Sequence, residues 1–235
     1  MFNSRTVLVL GTAAISAGMV FAVAACQPEA WSAPAPNTSG MYGDPAASAV
    51  FWQPQSLKDD CALLAVADVV GELTGREPTE QEMITLAKGT PSEIRPGPIY
   101  VPPSEPGDPN QPKGGTGVEM VDETVLLKQY GITSEVIDQV HPDATGLNGL
   151  AAIQNYLAAH RHIIAWLNSA TIWNSTAQRA RADHFVVVTG LDTINQLVHL
   201  NDSALDHPDE QVSIATFSKA WQTGKNAILV TLGTT

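Results

Sequence analysis

Beyond residue 160 the chain carries four short runs of branched and aromatic residues: HIIAWLN at 162–168, HFVVVTGL at 184–191, QLVHL at 196–200 and AILVTL at 227–232. Such side chains pack well on a pleated surface, and runs this short read as strands. The second and third are separated only by residues 192–195, a connection that suits a hairpin. A helical segment, TFSKAW at 216–221, precedes the last run. This part of the chain therefore predicts an antiparallel sheet.

The earlier part has a different period. In CALLAVADVVGEL, residues 61–73, the apolar positions recur at helical spacing, with Asp59 or Asp60 available as N-cap. Thr79 followed three residues later by Glu82 is a capping box, and it opens a second helix that stops at Gly89. Residues 118–130 and 149–159 give two more helices, and 132–137 is consistent with a further strand. Helices first and an antiparallel sheet afterward make an α+β arrangement. Between them, residues 90–117 hold eight prolines and five glycines, which excludes a packed regular element and marks a functional loop or an excursion from the domain.

The first 25 residues have Arg5 as their only charged side chain and run through an apolar stretch, the pattern of an export signal. They end in Val23-Ala24-Ala25-Cys26, which resembles the lipobox of bacterial lipoproteins, where cleavage precedes a cysteine that receives lipid. Residues 26–50, rich in Pro, Ala, Ser and Gly, read as the lipidated cysteine and a flexible tether. The folded unit is then expected over 51–235, outside the cytoplasm, on the outer face of a bacterial membrane or secreted. The full chain's 12 basic residues against 24 acidic ones, a formal charge of -12, exclude a nucleic-acid footprint.

If Cys26 carries lipid, Cys61 has no disulfide partner. Cysteine is often buried, so packing alone is one reading of Cys61. Its place at a helix start gives another, because unpaired N–H groups and the helix dipole favour a thiolate there. His184 opens one strand of the expected hairpin and Asp202 follows the other, so base and orienting carboxylate can meet. Thiolate, imidazole and carboxylate together are the parts of nucleophilic acyl transfer. Gln55, with Gln53 as its rival, supplies a side-chain amide for the oxyanion, and Asn201 is the rival of Asp202. Asp59 and Asp60 stand against thiolate formation, since nearby carboxylates oppose it. No cofactor or metal is expected: His141, His160, His162, His199 and His207 show no ligand spacing, and Cys61 has no second thiol.

Three clusters carry a family resemblance: Gln55 six residues before Asp60-Cys61-Ala62, the HFVVVTGLD run from His184, and VHLND ending at Asp202. Together they resemble the C39-like peptidases of the papain-like cysteine peptidase superfamily. The resemblance implies a papain-like fold with N-terminal helices packed on the C-terminal sheet. It also implies Cys61 as nucleophile, His184 as base, Asp202 as its orienter and Gln55 in the oxyanion hole. The implied activity is a thiol hydrolase acting on a peptide or related amide in a peptide or protein substrate. Two other readings share these residues: a noncatalytic surface-binding or accessory lipoprotein, and a transpeptidase or cell-wall amidase using the same triad. Ala62 stands where the family often has glycine. Substrate identity and oligomeric state are not legible.

Overall fold

The computed structural model describes residues 40–103, 115–143, 146–177 and 179–233. The expected export signal at 1–25, the lipid-bearing Cys26 and the tether up to residue 39 lie outside the described residues.

Helices α2 (Cys61–Thr74), α3 (Glu80–Gly89), α4 (Met120–Gln129) and α5 (Gly149–Ala158) form where the 3.6-residue period predicts them. The capping box of α3 is complete: the Thr79 hydroxyl accepts from the Glu82 N–H, and the Glu82 carboxylate accepts from the Thr79 N–H. Among the described residues, seven strands make one antiparallel sheet. They are β1 (Met41–Gly43), β2 (Ser134–Ile137), β3 (Ile163–Leu167), β4 (His184–Asp192), β5 (Leu197–Asn201), β6 (Glu210–Ser213) and β7 (Ile228–Thr231). Their order is β2-β7-β3-β4-β5-β6, with β1 paired to the far end of β4 beyond β3. The expected β4–β5 hairpin is present, its turn closed by Asp192, whose carboxylate accepts from the Ile194 and Asn195 N–H groups. A short helix α6 (Ser169–Ile172) follows β3, and α7 (Ile214–Gln222) precedes β7.

The sheet is covered on both faces. Ile164, Phe185, Val187 and Leu229 pack beneath α2, α3 and α4. On the opposite face, Ile163, Val186, Val188, Ile228 and Val230 meet Ile153 and Tyr156 of α5 and Phe217 and Trp221 of α7. Helices on one face only would leave half of each strand apolar in water, which explains why β4 reads as a continuous apolar run and not as an alternating one. The α+β class holds, but the C-terminal helices form a third layer.

The start of the folded unit is earlier than expected. Residues 41–51, read as tether up to residue 50, instead form β1, a short helix α1 (Pro45–Ser48) and a 3-10 turn at Ala49–Phe51. Asp44 caps α1 and Pro45 sits in its first turn, a start signal that the high content of small residues obscured. Gly43 is required at the join: a side-chain carbon there would come within 2.2 Å of the Thr189 carbonyl oxygen, and its φ is +82°. Gly71, inside α2, lets Phe51 approach the helix, since a Cβ would meet the Phe51 ring at 2.7 Å.

Part of the Pro/Gly-rich stretch is packed. Ile99 and Tyr100 are fully buried, and the Arg95 guanidinium donates to the carbonyls of Ile99 and Gly117, tying the two described arms of the loop together.

Candidate active site

Cys61 is the first residue of α2, where helix geometry leaves the leading N–H groups without intrahelical acceptors. Its thiol lies against the imidazole of His184, the first residue of β4. Continuing the Val187–Asn201 pairing by one residue puts Asp202 opposite Val186, diagonal to His184, and side-chain alternation turns the two toward each other. The imidazole Nε2 and Asp202 Oδ1 are 2.7 Å apart, with both side chains buried. A carboxylate only accepts, so Nε2 carries the hydrogen and Nδ1 is left for the thiol.

Alternation also disposes of the rival. Asn201 projects to the other face, where its amide donates to the Ser48 carbonyl and to Asp68. Gln53 is likewise engaged elsewhere, on Glu77 and the Pro78 carbonyl. Gln55 is held by Ser203, the residue after Asp202. Its backbone N–H donates to the Ser203 carbonyl, its side-chain oxygen accepts from the Ser203 hydroxyl, and its amide nitrogen donates to the Leu57 carbonyl.

Asp202 is solvated by protein donors on both of its oxygens. Besides His184 it accepts from the Ala204 N–H at 2.8 Å and from the Trp173 indole N–H at 2.9 Å. Burial pushes its acidity toward the neutral form, but the hydrogen bond and charge of His184 and these donors prevail and hold it below the usual carboxylate range. For His184 burial again works against the charge, yet the bonds to Asp202 and Cys61 outweigh it and raise the imidazole to about 10. The pair is built to hold an imidazolium against a carboxylate.

Two tryptophans complete this arrangement, though neither lies in a motif of the sequence. Trp173 lies tilted over the His184 ring with centroids 5.1 Å apart while its N–H reaches Asp202, and the Trp52 indole N–H donates to the Asp202 carbonyl. A tryptophan just after β3 and another just before the cysteine helix carried no motif, so only the tertiary contacts reveal them. Trp173→Phe keeps a ring over His184 and removes one donor from Asp202. It is expected to slow reaction at Cys61 about tenfold, the usual scale for losing a supporting hydrogen bond, as read by thiol-labelling rates.

A cleft of about 340 Å³ opens beside the thiol, walled by Lys58, Asp59, Val118, Trp166 and Phe185. Gly117, the last residue of the Pro/Gly-rich loop, also lines it, so the loop's return arm forms cleft wall. Asp59 is anchored by the Tyr100 hydroxyl at 2.8 Å. Asp183, the residue before His184, accepts from the N–H and hydroxyl of Ser169 and pairs with Arg179. Glu123 of α4 is fully buried, with neither oxygen partnered among the described residues, and burial together with the charge of Cys61 raises its pKa well above the usual carboxylate range, so it stays a neutral acid. Among the described residues no group of three or more His, Cys, Asp or Glu could hold a metal ion.

Residues 50–228 match the model of the Peptidase_C39 like family. The chain belongs to that family. Uncharacterized proteins of Mycobacterium tuberculosis and Mycobacterium bovis are 42% identical to it over 209 residues, covering 85% of this chain and 88% of theirs. The fold is that of a C39-like peptidase from Bacillus anthracis, with a TM-score of 0.56 at 14% identity over 83% of this chain and 98% of that one. Membership in this family supports a peptidase-like hydrolase of the cysteine class.

Proposed function

We propose that this protein is an exported thiol hydrolase that cleaves a peptide or related amide through an acyl-enzyme on Cys61. The observation that carries the reading is the continuous chain of contacts from the Cys61 thiol, which lines an open cleft, through the buried His184 imidazole to the buried Asp202. Cys61 Sγ attacks the carbonyl carbon as a thiolate, its proton held on His184 Nδ1. That proton passes to the leaving nitrogen as the amide bond breaks, and water then repeats the sequence against the thioester. Asp202 keeps the imidazole oriented and supports its charge. The oxyanion meets the Cys61 backbone N–H and the second amide hydrogen of Gln55, whose first is occupied by Leu57. The export signal and lipobox at Cys26 support a membrane-anchored location for the same activity.

The experiment is alkylation of the full-length protein by iodoacetamide near neutral pH, with peptide mapping to separate Cys61 from Cys26. Fast modification of Cys61 that slows at least about 100-fold in His184→Ala is the expected result. A thiol that stays inert until the protein unfolds, or one indifferent to His184, would identify a scaffold without turnover.

A further inference from the structure

Asp60, the residue before the nucleophile, is fully buried at the N-cap position of α2, yet its side chain caps nothing. Neither carboxyl oxygen meets an N–H or O–H donor among the described residues. What faces it is another carboxyl, that of Glu80 at the start of α3, which accepts from the Ser56 N–H at 2.6 Å. Two bare carboxylates in contact repel; a single proton between them converts the contact to a hydrogen bond. Asp59 and the Tyr100 phenol that donates to it also act on the pair, and neither brings a positive charge to it. Burial, then the bond and charge of Glu80, raises Asp60 to about 8. Burial acts on Glu80 too, but the bond from Asp60 and those from the Ser56 and Leu57 backbone hold it low.

We infer that Asp60 and Glu80 share one proton as an acid–carboxylate pair that positions the segment carrying Gln55 and Cys61, and that the reactivity of Cys61 depends on that proton. The inference rests on Cys61 being the nucleophile. With the proton in place, the pair carries one negative charge, on Glu80, and Asp60 adds none at the helix end where the thiolate forms. Loss of the proton puts a second charge beside Cys61 and drives α3 away from the 55–60 segment. The same proton answers, for Asp60, the objection that an aspartate before a cysteine should suppress its ionisation; Asp59 is held by the Tyr100 hydroxyl.

The test compares iodoacetamide labelling of Cys61 in wild type, Asp60→Asn and Glu80→Gln across pH. The ratio of wild-type to Asp60→Asn rates is expected to fall about tenfold between about pH 6 and 9, because only the wild type acquires the second charge. Glu80→Gln acts in the opposite sense: its amide donates to Asp60 and stabilises the carboxylate, so labelling is already about tenfold slower than wild type at about pH 6. A pH-independent ratio, with labelling still dependent on His184, overturns the shared-proton pair and leaves the hydrolase reading standing. Labelling indifferent to His184 removes the hydrolase reading, and the coupling to Cys61 with it. Urea unfolding decides on the pair without a reactive thiol. Because Asp60 is protonated in the fold and ionised in the unfolded chain over this range, the Asp60→Asn midpoint should rise relative to wild type from about pH 5 to 8 and level off above. Parallel midpoints across that range overturn the pair.

Discussion

Cys61→Ala is expected to leave a folded protein without detectable amide hydrolysis, a loss on the order of 10⁴-fold or more for any peptide that the wild type turns over. The magnitude follows from the role: without sulfur there is no acyl-enzyme, and the remaining oxyanion donors have nothing to stabilise but direct attack by water. The fold should tolerate the change. Cys61 is a small residue at a helix end, alanine is the best helix former, and the lost sulfur faces the cleft side of the core instead of its centre. Circular dichroism and the unfolding midpoint would report an intact domain while a peptide-cleavage assay reads background. Retention of full hydrolysis by this variant would place the nucleophile elsewhere and end the mechanism.

Asp202→Ala should damage both chemistry and stability. It strips the carboxylate from a buried imidazole and leaves the Trp173 and Ala204 N–H groups without their acceptor, so a cost of about 3–5 kcal/mol is expected from breaking a buried pair. Reaction at Cys61 should fall by roughly 10³–10⁴, as when a triad loses its orienting acid. The pH dependence gives the signature. Asp202, lowered in the fold, contributes stability that is present above its unfolded value of about 4 and lost as pH falls through the folded one. His184, raised to about 10, contributes stability that is full below its ordinary value of 6.5 and disappears as pH rises through 10. The stability gap between wild type and Asp202→Ala should therefore be widest between about pH 4 and 6.5 and narrow toward pH 10. A gap that does not vary with pH would mean that the two side chains are not an ion pair.

Much of the site was legible because local signals and motif spacing agreed. A capping box announced α3, the apolar period outlined α2, and two β-rich runs around a short turn brought His184 near Asp202. The choice between Asp202 and Asn201 needed the strand's end, which pattern alone places only to within a few residues. What lay hidden were contacts between segments distant in sequence. Trp173 meets Asp202 across 29 positions, and Trp52 meets it across 150. β1 is only three residues long and exists because β4 offers it an edge, so its composition read as tether.

By itself the sequence determined the order of helices and strands, the two periods behind them, and the cysteine, histidine and aspartate in a family-like register. The helices and strands depend on neighbours a few residues apart, where backbone geometry and side-chain alternation act directly. Only the tertiary structure decided that both faces of the sheet are covered, that Asn201 turns away from His184, that the loop's return arm walls the cleft, and that Asp60 faces Glu80. Each of these is a matter of which groups burial forces into contact, and in a buried contact the cost of an unpaired charge, not the identity of the residue, sets where the proton resides.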